Sequence, residues 1–232
     1  MLSRKIILTE DGSATIHLAE WNESYHSKHG AVQEAYHVFI RNGLDFFRES
    51  SEISILEIGF GTGLNALISF LESSEGNQKI NYTGLEKYPV VENEFKALNY
   101  PQSLKDFNSD LKLSETEISA VYNSLMKANW EDFQAIHPNF QLQKFQEDFL
   151  EYEYPKEAFD LIYFDAFGAR VQPELWTEEL FEKLFQSIKS GGMLTTYSSK
   201  GSVRRALISV GFRVEKRPGP PGKREMLVAF KN

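Results

Sequence analysis

Eleven residues, Ile55-Leu56-Glu57-Ile58-Gly59-Phe60-Gly61-Thr62-Gly63-Leu64-Asn65, limit what this chain can fold into. A strand-like apolar run gives way to glycine at every second position, and the apolar segment Ala66-Leu67-Ile68-Ser69-Phe70-Leu71 follows. Strand, glycine loop and helix is how an open α/β sheet makes room for a nucleotide-like cofactor. Glycine reaches positive φ at no steric cost and lets the backbone approach a ligand closely. A tight turn that held nothing would need neither three alternating glycines nor an acid, Glu57, ahead of them.

The rest of the chain repeats the strand–helix alternation. A hairpin is expected over residues 3–18, around Asp11-Gly12, a strong hairpin turn signal. The strand-like alternation begins at Met1 and lacks the apolar core of a signal peptide. A helix is expected over 31–47, where Val32, Ala35, Tyr36, Phe39, Ile40, Leu44 and Phe47 recur at three- and four-residue spacing. Sheet strands follow at 54–58, 80–86, 140–145, 159–164 and 193–197, with helices after Asn65, near 91–98, at 173–187 and at 202–210. Gly191-Gly192 is read as the end of the unit before the fifth of these strands. Residues 212–216 and 226–230 read as a closing antiparallel pair. The region 99–140 is less regular and longer than a usual connection; it reads as an insertion with one or two amphipathic helices near the mouth of the site. The pattern predicts one α/β domain over residues 1–232: a mostly parallel sheet with helices on both faces and an N-terminal hairpin-and-helix extension over residues 1–50.

Composition excludes several classes. No run approaches the roughly 18–20 apolar residues of a membrane span, and the absence of cysteine removes disulfides and thiolate metal sites. His26, His29 and His37 lack an ordered carboxylate pattern, so no metal is expected. A cytoplasmic protein is expected. The net charge of −8 argues against indiscriminate nucleic-acid binding, although a local basic patch remains compatible with it.

Four acids fall near successive strand ends: Glu57, Glu86, Asp148 and Asp165. A nicotinamide dinucleotide would favour G-x-G-x-x-G with its pyrophosphate on a helix N-terminus, whereas the third glycine here comes early. S-adenosylmethionine is cationic and lacks phosphate, so it suits an acid-lined pocket. Its ribose hydroxyls can donate to Glu86, some twenty residues past the glycines, and Asp148 can accept from its adenine amine. Glu57, Gly59, Gly61, Gly63, Asn65, Glu86 and Asp148 are therefore the expected cofactor residues, and residues 53–197 resemble the class I methyltransferases.

Further segments carry a narrower resemblance. They are Asp11-Gly12-Ser13, Glu23-Ser24-Tyr25-His26-Ser27, Gly30-Ala31 with Glu34, His37-Val38-Phe39-Ile40, the glycine loop, Phe164-Asp165-Ala166-Phe167 and Pro173-Glu174-Leu175-Trp176-Thr177. Ser198-Ser199-Lys200-Gly201, Val203-Arg204-Arg205, Gly211-Phe212 and Pro221-Gly222-Lys223-Arg224-Glu225-Met226-Leu227 complete the set. Together they resemble the methyltransferase part of the MnmC family over nearly the whole chain outside 99–140. The resemblance implies methylation of the 5-aminomethyl group of wobble (2-thio)uridine in transfer RNA, giving 5-methylaminomethyl. Many members also carry a flavin-dependent oxidase domain; the chain ends at Asn232, so no flavin is expected. One departure stands out: Ala169-Arg170-Val171-Gln172 replaces a stretch where the family commonly has proline, so a more flexible loop with an added charge is expected.

An alkylammonium has no lone pair with which to attack, so the site must orient a neutral amine or take its proton. Asp165 is the expected group. Tyr25, Glu34 and Phe167 are expected to shape the substrate pocket, and Lys200, Arg204, Arg205, Lys223 and Arg224, in a segment of eight cations against Glu215, to meet the RNA backbone. Alternatives are methyl or aminopropyl transfer to a small-molecule amine, methylation of a protein, a nicotinamide oxidoreductase, and a non-catalytic RNA-binding module.

Overall fold

The computed structural model describes residues 3–76 and 78–232; Met1 and Leu2, where the strand-like alternation was expected to begin, lie outside them, as does Asn77. Strands β1 (Arg4–Leu8), β2 (Ala14–Leu18) and β3 (Glu23–Ser24) form a small antiparallel sheet. Asp11 builds its turn, accepting from the Ser13 amide at 3.0 Å and reaching the Gln33 amide at 3.1 Å.

The single helix expected over 31–47 is broken. Helix α1 covers only Ala31–Ala35, widens into a π-helical turn at Tyr36–Arg41, and resumes as a 3₁₀ turn at Leu44–Phe47. The Asn42 side chain takes the His37 carbonyl at 2.8 Å. A Cβ at Gly43 would stand 2.3 Å from the Phe39 carbonyl oxygen. The apolar period was correct for the buried face but carried no information about these backbone interruptions.

The main sheet follows. Its elements are β4 (Glu52–Ile58), α2 (Leu64–Glu75), β5 (Lys79–Leu85), α3 (Glu92–Ala97), α4 (Tyr100–Phe107), α5 (Glu115–Lys127), β6 (Phe133–His137), β7 (Phe140–Phe145) and β8 (Phe159–Phe164). After a 3₁₀ turn at Pro173–Trp176 come α6 (Glu178–Ser187), β9 (Ile188–Thr196), α7 (Gly201–Ser209), β10 (Arg213–Pro218) and β11 (Glu225–Phe230). The strand order is β10-β11-β9-β8-β4-β5-β7-β6. The central pairs β9-β8, β8-β4, β4-β5 and β5-β7 are parallel, and antiparallel strands close both edges. The chain is thus a Rossmann-like α/β domain. The fifth parallel strand starts five residues earlier than expected, so Gly191 and Gly192 lie inside it, beside an irregularity in its register with β8.

Strand alternation sorts the sheet's side chains between two apolar layers. Ile53, Ile55, Tyr82, Leu161 and Tyr163 pack with α1, α2, α4 and α5, whereas Leu56, Ile58, Ile162 and Phe164 pack with α6 and α7. Residues 99–140 belong to the first layer and do not stand at the mouth of the site. Tyr122 of α5 donates to the Thr62 carbonyl at 2.9 Å, and Met126 packs behind Gly63. Buried Lys144 ties β7 to the end of α5 through the carbonyls of Leu125 and Met126. Among the described residues, no helix is long and apolar enough to cross a membrane.

Candidate active site

Strand β4 has β5 on one side and β8 on the other, so its carboxyl end is the point where strand order reverses and where such sheets open a crevice. A cleft of about 1150 Å³ opens there. Its floor is the glycine loop, folded back so that the amides of Gly59 and Phe60 both donate to the Leu85 carbonyl, at 3.0 and 2.8 Å. All three loop glycines have positive φ. At Gly59 the need is doubled, since a Cβ there would lie 2.8 Å from the Asp165 carbonyl oxygen. The loop and the end of β8 can approach only because residue 59 has no side chain.

The four acids read from the strand ends all line the cleft, in different states. Glu86 is buried and accepts from the Gly61 amide at 3.0 Å and the Tyr88 amide at 2.8 Å. Burial pushes its carboxyl above the ordinary value, and these amides pull it partly back. Asp148 is more open; burial works upward, but Lys87 at 2.5 Å and the Leu150 amide outweigh it and lower its pKa. Glu57 is 1% exposed. Both its oxygens are engaged, Oε1 by Asn65 Nδ2 and Oε2 by the Tyr82 hydroxyl, each at 2.8 Å. Odd positions of β4 face α2, which turns Glu57 towards Asn65 in the first turn of that helix.

Asp165 leaves β8 with its amide on the Ile58 carbonyl, and its Oδ2 accepts from the same Asn65 Nδ2 at 2.9 Å. Burial first, and then the Glu34 carboxylate, push its carboxyl well above the ordinary aspartate value, while Asn65 and Lys223 act in the other direction. Across the cleft Glu34 accepts from the Ser27 amide and from Lys223 Nζ, both at 2.7 Å. Lys223 also stands 3.9 Å from the centre of the Tyr197 ring.

Tyr25 and Phe167 meet edge to face at 5.0 Å, and Trp21 meets the same Phe167 at 5.6 Å. Trp21 lines the cleft and was missed from the sequence, where only its place after the hairpin marks it. The loop expected to be flexible is tied down. Arg170 reaches Glu23 at 2.8 Å and the Trp21 carbonyl at 2.5 Å, Trp176 Nε1 donates to the Phe167 carbonyl, and the Tyr197 hydroxyl to the Ala166 carbonyl. Arg170 thus joins this loop to the segment after the N-terminal hairpin.

Of the five cations expected to meet RNA, only Lys223 lines the cleft. Lys200, which caps α7, Arg205, midway along it, and Arg224 are exposed, and Arg204 is partly buried. Their neighbours Arg213 and Arg217 pair with Glu215, and Lys216 with Glu225. The histidines do not converge: His29 bonds Glu10, His37 the Pro218 carbonyl, and half-buried His26, its pKa pushed down to about 4 by desolvation, bonds Thr15. Among the described residues no group of three His, Cys, Asp or Glu side chains could hold a metal ion.

Nine carboxylates and four cations line the cleft. That balance, with a side-chain-free loop on its floor and the buried Glu86 against it, fits a cationic, hydroxyl-bearing cofactor better than a pyrophosphate.

Comparison with known proteins agrees. A family model described as S-adenosyl-L-methionine-dependent methyltransferase matches residues 112–232. The tRNA 5-methylaminomethyl-2-thiouridine biosynthesis bifunctional protein MnmC of Cupriavidus metallidurans is 30% identical over 96% of this chain, and that of Marinomonas sp. 29% identical over 96%. The chain spans about a third of the length of these curated relatives, 33% in both cases. The crystal structure of MnmC2 from Aquifex aeolicus superposes over 99% of this chain and 71% of that one, with a TM-score of 0.78 at 25% identity. Spermidine synthase from Thermotoga maritima shares the fold, with a TM-score of 0.59 at 14% identity over 100% of this chain and 69% of that one.

Proposed function

Since the chain belongs to the S-adenosyl-L-methionine-dependent methyltransferase family, we propose that it methylates the 5-aminomethyl group of wobble (2-thio)uridine in transfer RNA to 5-methylaminomethyl. The reading draws on the likeness to MnmC over 96% of the chain and to MnmC2 over 99%. The observation that carries it is Asp165, fixed by Asn65 and facing the Glu34–Lys223 pair in an acid-lined cleft. An amine, drawn in as a cation, fits that setting better than an acidic nucleophile does.

The glycine loop with Gly59, Gly61 and Gly63 forms the cofactor floor. Glu86 takes the ribose hydroxyls with the lone pairs left by its two amide bonds, and Asp148 bounds the adenine end. When bound, S-adenosylmethionine supplies a methyl group on a sulfonium, which leaves as a thioether when the C–S bond breaks and the N–C bond forms. Asp165 Oδ1 makes no hydrogen bond among the described residues, so it accepts one from the amine and aims the nitrogen lone pair. Its raised pKa also suits it to take the proton that the incoming ammonium must lose before its nitrogen can attack. Tyr25 and Phe167 flank the uracil, and Lys200, Arg205 and Arg224 steer the phosphate backbone. This chemistry calls on neither a flavin nor a metal, and a transfer-RNA substrate goes with a cytoplasmic place of action.

Purified protein incubated with labelled S-adenosylmethionine and transfer RNA bearing 5-aminomethyluridine should place the label in the wobble nucleoside, read by nucleoside mass analysis. Label on a polyamine or protein instead, or no transfer to RNA, overturns the proposal.

A further inference from the structure

A hydrogen-bonded line runs from the sheet core into the cleft. The Tyr82 hydroxyl of β5 donates to Glu57 of β4, Asn65 Nδ2 of α2 donates to the other Glu57 oxygen, and the same amide nitrogen donates to Asp165 beyond β8. Three of the four residues are 3% exposed or less: Tyr82 at 1%, Glu57 at 1% and Asn65 at 3%. Each bond is 2.8 or 2.9 Å.

Asn65 shows what the line is for. An amide NH₂ has two hydrogens, and here each goes to a carboxylate. Asn65 Oδ1 is buried and accepts nothing, an unfavourable state for an acceptor taken out of water. Reversing the amide would set Oδ1 against two carboxylates, so the orientation is forced from both sides. Glu57 reaches no further than Asn65 and Tyr82, which leaves it as the anchor of the amide.

We propose that Asn65 is a positioning residue: pinned by Glu57, its amide fixes the Asp165 carboxylate towards the reacting amine, and it is not a ligand of the cofactor. The inference rests on the reading of Asp165 as the amine-facing group. The amide also favours ionised Asp165, and it works against a crowded setting. Glu34 of α1, Glu57 of β4, Tyr197 after β9, Tyr82 of β5 and Tyr100 of α4 all face Asp165 with negative or latent negative charge. Lys223, in the turn before β11, is the cation on that side. Without the Asn65 donor the carboxylate becomes harder to form, and methyl transfer needs a higher pH.

The test uses the full chain with the RNA assay above. Asn65→Leu removes both donors at similar volume, and Asn65→Ser keeps one. Losing a hydrogen bond to a charged group is worth about 1.5–3 kcal/mol, which at 1.36 kcal/mol per unit moves the acid limb of the kcat–pH profile up by about one to two pH units. We expect that shift for Asn65→Leu, with kcat at pH 7 down about 10-fold or more, a smaller shift for Asn65→Ser, and cofactor affinity by calorimetry within about twofold of the parent. If Asn65→Leu does not fold, the Asn65→Ser profile decides by itself. Loss of cofactor affinity with an unmoved acid limb, or no change in kcat and profile, overturns the inference. Failure of the parent protein to methylate the wobble nucleoside is separate and overturns the proposed function.

Discussion

Gly59→Ala is the sharpest test of how the loop and the end of β8 are joined. Residue 59 has φ +91°, and its new Cβ would lie 2.8 Å from the Asp165 carbonyl oxygen, a backbone atom that no rotamer change can move aside. Left-handed backbone costs an L-residue about 1–2 kcal/mol, and forcing the overlap apart costs about 1–3 kcal/mol more, as overpacking does. Gly191→Ala supplies the control: its φ is +80°, but nothing stands within 4 Å of the added methyl. Both variants gain the same reduction in unfolded-chain freedom, so their difference isolates the contact with Asp165. Urea unfolding should place Gly59→Ala below Gly191→Ala by about 1–3 kcal/mol, or roughly 2–12 °C in Tm for a chain of this size. The same displacement moves Asp165 away from its alignment with Asn65, so methyl transfer should fall roughly 10-fold or more in Gly59→Ala, with Gly191→Ala near the parent. Equal stability losses, or full activity in Gly59→Ala, would refute the coupling of loop and carboxylate.

Lys144 should make stability depend on pH: burial pushes it from 10.5 down to about 8, so between those values only the unfolded chain holds the proton, and stability rises with pH by up to about 3 kcal/mol. Subtracting a Lys144→Met unfolding series from the parent series should isolate that rise between pH 8 and 10.5; identical slopes would refute it. Arg205→Glu, at an exposed position midway along α7, should weaken transfer-RNA binding and lower the salt slope by about one, with cofactor affinity unchanged. It is a cleaner probe than Arg204, whose Nε is buried without a hydrogen-bond partner; an RNA affinity and salt slope equal to the parent's would return this patch to an ordinary solvated face.

The succession of parallel strands along the chain and the place of the cleft were legible because strand-like apolar runs and the glycine loop are local signals, whereas the order of the strands in the sheet was not predicted. Strand β6 was not, since Phe133–His137 is a short edge strand, exposed on alternate residues, whose identity comes from pairing with β7. The direction in which each acid faces also depends on tertiary packing. Glu57 and Glu86 read alike in sequence, yet only register against Ile53 and Ile55 shows that Glu57 turns to α2 and spends both oxygens there. The pairing of Arg213, Glu215 and Arg217 was within reach of the sequence: residues two apart on a strand share a face, so one acid serves both cations.

The distribution of charge removes the conflict between a net charge of −8 and a polyanionic substrate. At physiological salt, exposed charges more than about 8 Å apart are largely screened, so the global sum says little about any one surface. The acids that matter to chemistry lie inside the cleft, where Glu34 already occupies its deep cation, Lys223, at 2.7 Å. Of the cations expected to meet RNA, Lys200, Arg205 and Arg224 have no carboxylate partner among the described residues and lie outside the cleft lining, with Lys200 capping α7 just beyond the carboxyl end of β9 and Arg205 midway along that helix. A cationic cofactor and an amine would meet negative potential within, and a phosphate backbone would meet positive charge on the outer surface. Glu34→Gln breaks that division at one point: it frees Lys223 to face Asp165 and should weaken selection of a cationic amine while leaving the outer surface, and hence the salt dependence of RNA binding, as it was.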